Sequence, residues 1–233
     1  MAELVVALDY PDAAAAHAMA RLLRGTAGWV KVGLELFTAD GPAVIAPLKE
    51  LGFKVFLDMK FFDIPNTVLG AARSAARLGV DMITIHALGG ERMAHAAMEG
   101  CTLGAPPGAL PPLVMAVTML TSMGPDDLPL GNGGDPSRMA LDLAVKAKQY
   151  GVNGVVCSGL EVAAVKERCG GGFLCLTPGI RPAKAAADDQ RRVVTPGRAV
   201  RSGSDFLVVG RPVTMADAPA DAARNMLEEM RSA

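Results

Sequence analysis

The chain has 233 residues, 51% of them hydrophobic, and its 23 basic and 24 acidic side chains leave a formal net charge of −1. This length is that of one α/β barrel, which needs roughly 200–250 residues, and it provides enough apolar side chains for a large core. The basic residues form no block or stripe, so we expect no nucleic-acid partner.

The same composition argues against a membrane protein, a secreted protein and a metalloprotein. No uninterrupted apolar stretch approaches the ~20 residues of a membrane span, and the N-terminal apolar run is short and contains Glu3, unlike a signal peptide. The four cysteines show no C-x-x-C spacing and the three histidines are dispersed. We therefore expect a cytoplasmic protein with no membrane partner and no metal site.

Eight short apolar runs along the chain are predicted to be strands, and most are separated by enough residues for a helix. They lie near residues 4–9, 29–33, 53–58, 81–86, 112–119, 153–157, 173–177 and 205–209. Before three of them stands a glycine, Gly52, Gly79 or Gly151, at the end of a predicted helix, where glycine adopts the left-handed conformation without strain.

Strands that are apolar on both faces and alternate with helices are typical of a parallel sheet covered by helices. Eight such units at a spacing of about 25–30 residues predict a closed (β/α)8 TIM barrel. An open doubly wound sheet is the alternative, but no G-x-G-x-x-G follows the first predicted strand. No linker or change of composition divides the chain, so we expect one domain over residues 1–233.

The third predicted strand runs into the segment L-D-M-K-F-F-D-I-P-N-T at residues 57–67. Asp58 and Lys60 are two positions apart, which places their side chains on one face of a strand. Desolvating a charge costs several kcal/mol, so charged groups inside a domain need partners or a function. The pair is therefore a candidate catalytic pair, and a purely structural ion pair is the alternative.

Other predicted strands also end in polar residues, and in an α/β barrel the chemistry lies at these C-terminal strand ends. Asp9 follows the first strand and Lys31 lies in the second, W-V-K-V-G. Together with Asp58 and Lys60, they could form an alternating array of carboxylates and ammonium groups that satisfies its own members. His86 ends the fourth strand and is interpreted as a packed wall residue.

The last two predicted strands are followed by L-T-P-G-I-R-P and V-V-G-R-P-V. The loops at these positions of an α/β barrel commonly bind a phosphate, and Gly210 and Arg211 could supply backbone N–H groups and a guanidinium. Between them lies A-K-A-A-A-D-D-Q-R-R, with small and charged residues that are typical of a mobile loop or lid. A solvated connector is the alternative interpretation of that segment.

Five motifs, in order from about residue 4 to 213, point to one family: A-L-D, K-V-G, D-M-K-F-F-D-I-P-N-T, T-P-G-I-R-P and V-V-G-R-P. Together they resemble the bacterial type of the orotidine 5′-phosphate decarboxylase family. The resemblance implies cofactor-independent conversion of orotidine 5′-monophosphate to uridine 5′-monophosphate, the last step of de novo pyrimidine synthesis. The D-x-K-x-x-D core alone is shared with 3-keto-gulonate 6-phosphate decarboxylases and hexulose phosphate synthases, which hold a magnesium-bound enediolate. A non-catalytic phosphate-ligand binder is a further alternative.

The resemblance also implies roles for individual residues. Lys60 is expected to protonate C6 of the pyrimidine, with Asp58 beside the reacting carboxylate and Lys31 completing the charge network. Asp63 and the adjoining Ile64 are expected to reach the site of the partner subunit in a homodimer.

Further substrate contacts are implied at the ribose, the pyrimidine and the phosphate. They are Asp9 and Lys31 at the ribose, Thr67 on the loop after the third strand, Thr121 at the pyrimidine, and Arg181, Gln190, Gly210 and Arg211 at the phosphate. Gln190 belongs to the predicted lid. Many members of the family carry histidine where this chain has Phe62, a position outside the proposed charge network.

Overall fold

The computed structural model describes residues 2–127, 134–182 and 193–233 of the chain. Its eight parallel strands form a closed barrel in sequence order, in which each strand pairs with the next and the last pairs with the first. The predicted (β/α)8 TIM barrel is therefore confirmed. No helix in the described ranges is long and apolar enough to cross a membrane.

The strands lie where the apolar runs predicted them, with small differences at their ends. They are β1 Glu3–Ala7, β2 Trp29–Gly33, β3 Lys54–Phe61, β4 Met82–His86, β5 Leu113–Val117, β6 Gly154–Val156, β7 Leu174–Thr177 and β8 Phe206–Val209. The third strand extends three residues beyond its predicted end, into the segment that carries Asp58 and Lys60.

The helices lie between the strands and after the last one. They are α1 Ala13–Leu23, α2 Leu34–Asp40, α3 Ile45–Glu50, α4 Pro65–Arg77, α5 Gly90–Gly104, α6 Pro136–Gln149, α7 Val162–Cys169, α8 Pro196–Arg201, α9 Arg211–Thr214 and α10 Pro219–Arg231. The glycines predicted to end helices, Gly52, Gly79 and Gly151, have φ angles of +91°, +75° and +78°. Each therefore has the left-handed conformation that the prediction requires.

Alternate residues of the strands fill the inside of the barrel, and their character changes along its axis. Near the N-terminal ends of the strands the inward side chains are apolar, as at Trp29, Phe56 and Met82. The rings of Trp29 and Phe206 meet edge to face, with centroids 5.3 Å apart. Two residues further along β2 and β3 the inward positions are occupied by Lys31 and Asp58, so the packed interior ends where the charged groups begin.

The opposite end of the barrel is held by two aspartates that precede strands. Asp81 Oδ2 accepts hydrogen bonds from Lys49 Nζ at 2.5 Å and from the backbone N–H of Val55 at 2.7 Å. Asp205 makes the equivalent pair of contacts with Lys166 Nζ and a backbone N–H of β7. These ion pairs tie helices to strands, far from the end where the other charges collect.

Candidate active site

A cavity of about 650 Å³ opens at the C-terminal ends of the strands. Its polar lining includes Asp9 from the loop after β1, Lys31 from β2, and Asp58 and Lys60 from β3. Its inner end is apolar and is formed by Phe56, Val117, Val156, Leu176 and Val208. The cavity therefore has a charged wall above an apolar floor.

The charged wall is a chain of four alternating groups. Lys31 Nζ lies 2.8 Å from Asp9 Oδ1 and 3.8 Å from Asp58 Oδ2, and Lys60 Nζ lies 2.8 Å from the same Asp58 oxygen. The side chains of Lys31 and Asp58 are only 11% and 13% exposed. The structure thus brings together the four residues that the sequence suggested as an array. Because Lys31 and Asp58 are poorly solvated, their fields are strong within the cavity.

Lys60 reaches this position through an irregular backbone. Its φ angle is +51°, and among the described residues it is the one non-glycine with a positive φ. The pairing of β3 with β4 passes from Leu57 opposite Ile83 to Phe61 opposite Ile85, so four steps along β3 match two along β4. Such a conformation costs about 1–3 kcal/mol. The expected common face of Asp58 and Lys60 therefore arises from a bulge and not from regular strand alternation.

Thr84 on β4 forms hydrogen bonds with both Asp58 and Lys60, and it was not among the residues predicted from the sequence. Its hydroxyl donates to Asp58 Oδ1 at 2.9 Å and accepts the backbone N–H of Lys60 at 2.9 Å. The available signal was its position, two residues after the inward-facing Met82. That spacing places a polar side chain on the inside of the barrel.

Gly33, at the end of β2, leaves the space that the network needs. A Cβ atom at this position would lie 2.6 Å from Lys31 Nζ and 3.1 Å from Asp9 Oδ1. The first distance is shorter than any ordinary contact, so any larger residue would have to displace the Lys31–Asp9 ion pair.

The other side of the cavity carries two arginines. Arg181, after β7, and Arg211, at the start of α9, both line it, as do Gly210 and the buried Thr121. The Nη1 group of Arg181 donates to the carbonyl of Ile180 at 3.0 Å. These cations can bind an anion at the end of the cavity away from Lys60.

Gln190 and the rest of the predicted lid lie outside the described residues. The described part of the chain therefore places three of the four expected phosphate contacts, Arg181, Gly210 and Arg211, around the cavity.

Asp63, Ile64 and Thr67 do not line the cavity of their own chain. All three are exposed, Ile64 by 67%, and Phe62 beside them is 60% exposed. Thr67 lies in the first turn of α4, not on a loop as the sequence analysis expected. In its own chain this segment is therefore exposed and forms no part of the cavity lining.

His86 forms part of the wall behind Lys60, in agreement with its interpretation as a packed residue. Its ring stands at a tilt to Phe62, with centroids 5.6 Å apart. Burial, together with the positive charge of Lys60, lowers the pKa of His86, and Asp58 opposes this effect. The imidazole is therefore neutral at pH 7 and adds no charge to the network.

No group of three or more histidine, cysteine, aspartate or glutamate side chains in the described ranges is arranged to hold a metal ion.

Comparison with known proteins connects this geometry to a family. Residues 2–226 match the model of the orotidine 5′-phosphate decarboxylase / HUMPS family. A protein of Maridesulfovibrio salexigens named orotidine 5′-phosphate decarboxylase is 62% identical over 232 residues, which cover 100% of both chains. One of the same name from Lawsonia intracellularis is 51% identical, covering 94% of this chain and 95% of its own. The crystal structure of orotidine 5′-phosphate decarboxylase from Lactobacillus acidophilus superposes with a TM-score of 0.88 at 39% identity, covering 99% of each chain.

Proposed function

The chain belongs to the orotidine 5′-phosphate decarboxylase / HUMPS family as a decarboxylase that forms uridine 5′-monophosphate, and we propose that it does so without a cofactor. The observation that carries this proposal is the charge network of Asp9, Lys31, Asp58 and Lys60 at the wall of a 650 Å³ cavity. The cavity has the size of a small-molecule site. The reaction is the last step of de novo pyrimidine synthesis.

Loss of CO2 from C6 of orotidine 5′-monophosphate breaks a carbon–carbon bond and leaves its electron pair on C6. That pair lies in the plane of the ring, where the π system cannot delocalise it. A cation close to C6 is therefore needed, and the Lys60 ammonium is the group we assign to this role. A preorganised cation in a site that excludes water stabilises such charge far more than it would in water.

Lys60 then supplies the proton that completes the product. One N–H bond of its ammonium group breaks as the new C6–H bond forms, and the neutral amine regains a proton from solvent. Asp58 supports this step because it accepts the hydrogen bond of Lys60 Nζ and so orients the ammonium group. We also assign Asp58 to a position beside the reacting carboxylate of the substrate.

The remaining contacts hold the substrate in place. We assign the ribose to Asp9 and Lys31, which form an ion pair with a separation of 2.8 Å at the cavity wall. We assign the pyrimidine to Thr121, which is buried and lines the same cavity. The apolar floor beneath keeps water from the reacting carbon, which preserves the field of the charges.

The phosphate of the substrate is assigned to Arg181, Gly210 and Arg211, with Gln190 contributing from outside the described residues. It takes no part in bond breaking. Its binding energy can nevertheless hold the pyrimidine against the charged wall, so that a remote contact contributes to the rate.

We further propose that the enzyme is a homodimer in which Asp63 and Ile64 contribute to the partner's site, with Thr67 as a further substrate contact. Support comes from exposed apolar side chains at the ends of three neighbouring strands, namely Leu34 after β2, Phe62 and Ile64 after β3, and Leu88 after β4. Such a patch at one end of a barrel is typical of an interface between subunits.

A mixing experiment tests the shared site. Asp63→Ala and Lys60→Ala are each expected to be inactive alone, because each lacks a group that every site needs. If the two are unfolded and refolded together in equal amounts, about a quarter of wild-type activity should return, since half of randomly formed dimers are mixed and each mixed dimer has one complete site. A mixture as inactive as its components would place Asp63 in the site of its own chain, and an Asp63→Ala protein that is active by itself would place it outside the reaction.

Replacing Gly33 should damage the network without touching the substrate. The Cβ of Gly33→Ala would stand 2.6 Å from Lys31 Nζ, so the ammonium must move and its bonds to Asp9 and Asp58 must lengthen. We expect kcat/KM to fall by about 100-fold, the order of effect of a 1 Å misplacement. Gly28→Ala is the control, because its nearest atom, Glu3 Oε2, lies 3.8 Å away and outside the site. Unchanged kinetics in Gly33→Ala would show that the Lys31–Asp9 pair is dispensable.

The decisive test of function is the loss of orotidine 5′-monophosphate, followed by ultraviolet absorbance, with purified protein in excess EDTA. Conversion to uridine 5′-monophosphate under these conditions, lost in Lys60→Ala, is the expected result. The sugar-phosphate members of the wider family use magnesium, so turnover of a sugar-phosphate substrate that requires added magnesium would overturn the proposal. Tight binding of the nucleotide with no turnover would indicate a binding protein.

We also propose that the whole chain, residues 1–233, is one decarboxylase domain that works in the cytoplasm. The closed barrel and the family match over residues 2–226 support a single domain. The four cysteines are all free, three of them buried, which is typical of a reducing compartment.

A further inference from the structure

The bulge in β3 interrupts the regular backbone hydrogen bonding to β4 at Lys60. Between the pairs Leu57–Ile83 and Phe61–Ile85, the three residues 58–60 of β3 face the single residue Thr84 of β4. A regular parallel pair would offer a backbone carbonyl to each N–H group that points at the neighbouring strand. At Lys60 a side chain replaces the backbone carbonyl as acceptor, because the backbone N–H of Lys60 donates to Thr84 Oγ1 at 2.9 Å.

The Thr84 hydroxyl is fully used by its two partners at the site. A hydroxyl has one hydrogen to donate and can accept others. Its hydrogen goes to Asp58 Oδ1 at 2.9 Å, and its oxygen accepts the Lys60 N–H. Thr84 is 0% exposed, so no solvent molecule competes for these bonds from outside. The hydroxyl is therefore oriented in one direction only.

This arrangement fixes both ends of the Asp58–Lys60 pair. One carboxylate oxygen of Asp58 binds Thr84 and the other binds Lys60 Nζ at 2.8 Å, so the carboxylate cannot rotate without breaking one of them. The same hydroxyl holds the Lys60 backbone at its positive φ angle of 51°, from which the side chain enters the cavity. Thr84 itself does not line the cavity, so it acts through the two lining residues that it binds.

We propose that Thr84 is a positioning residue of the decarboxylation, whose single hydroxyl sets the carboxylate of Asp58 and the backbone of Lys60 relative to each other. This inference rests on the proposed role of Lys60. A regular β4 residue with an apolar side chain would fill the same space and leave both groups free to move. Small displacements of reacting groups have large effects on rate, so the role belongs to kcat and not to substrate affinity.

The test compares variants at position 84 that differ by little more than the hydroxyl. Thr84→Val keeps the branched shape, and we expect kcat to fall by about 100-fold while KM changes by less than about threefold. Thr84→Ser restores the hydroxyl and should recover kcat to within about threefold of wild type. If Thr84→Val does not fold, Thr84→Ser and Thr84→Ala offer the same comparison in a smaller side chain.

Thr177→Val is the matched control. Thr177 is likewise a strand threonine that is 0% exposed, and its hydroxyl lies 2.7 Å from Ser204 Oγ. It does not line the cavity, so its loss should lower the denaturation midpoint and leave kcat unchanged. Full kcat in Thr84→Val would overturn the inference. So would a kcat for Thr84→Ser as low as that of Thr84→Val, or an equal fall in kcat in Thr177→Val.

Lys60→Ala, measured in the same assay, separates this inference from the proposed function. If Lys60→Ala is inactive while Thr84→Val keeps full kcat, only the role of Thr84 fails. If Lys60→Ala itself keeps full activity, the role proposed for Lys60 fails and the Thr84 inference fails with it.

Discussion

Replacing Lys60 by alanine should lower kcat by at least about 10⁴-fold, which is about 5 kcal/mol of transition-state stabilisation. Two contributions are lost together. A general acid contributes about 10²–10⁴-fold and one well-placed electrostatic contact about 10²–10³-fold. Lys60 is proposed to do both, first as the ammonium beside the developing carbanion and then as its proton donor.

Binding of the product should survive the same change. Uridine 5′-monophosphate carries no charge at C6, so it does not require the Lys60 ammonium, and its phosphate and ribose contacts remain. We expect its Kd to change by less than about tenfold, as measured by calorimetry. Such a split between kcat and product affinity is the signature of a group that acts in the transition state.

Lys54→Ala is the matched control on the same strand. Lys54 begins β3 at the opposite end of the barrel, where its Nζ lies 5.3 Å from the centroid of the Trp29 ring. Loss of this cation–π contact costs about 0.5–1 kcal/mol of stability and nothing in kcat. A Lys60→Ala protein that turned over within tenfold of wild type would remove Lys60 from the chemical step.

Replacing Arg211 by alanine should lower kcat/KM by about 10³-fold, with a rise in KM and a fall in kcat. The guanidinium lies at the cavity end where we place the phosphate. Its loss weakens binding, and it also removes part of the energy that holds the pyrimidine against the charged wall. An effect on kcat from a group remote from C6 is therefore expected.

Orotidine, the nucleoside without phosphate, makes this test specific. It has no group for Arg211 to bind, so wild type and Arg211→Ala should convert it at rates within about threefold of each other. Arg198→Ala, which removes an exposed arginine on the nearby α8, should leave both substrates unaffected. Equal losses with orotidine and its phosphate would show that Arg211 acts on the fold and not on the phosphate.

Much of the fold could be predicted because parallel barrel strands are buried on both faces. That burial requires continuous apolar runs, and each run is visible in the sequence. The glycines that follow helices also indicated where those helices end, since a glycine such as Gly52 readily adopts the left-handed conformation found there. The predicted ends of β3 and β5 differ from the observed ends, because the residues at these positions are compatible both with a strand and with the loop that follows it.

The charge network could be predicted from the sequence for a related reason. Asp9, Lys31, Asp58 and Lys60 are charged residues in or next to apolar runs, where charges are costly and therefore conspicuous. The one signal for Thr84 was its spacing from Met82, which is weak because threonine is common in strands on either face. The bulge that gives Thr84 its role depends on how β3 pairs with β4, which no local pattern records.

The expected role of Asp63 and Ile64 involves a second chain, and in a single chain both side chains are exposed. Its test is the mixing experiment with Asp63→Ala and Lys60→Ala.

The left-handed backbone of Lys60 has a consequence for the stability of the protein. Glycine adopts a φ of +51° without strain, so Lys60→Gly would relieve some of the cost that lysine bears there. A chain that did not need the proposed reaction would gain stability from glycine at this position. The strain at Lys60 is therefore a cost in stability that the role proposed for its side chain accounts for.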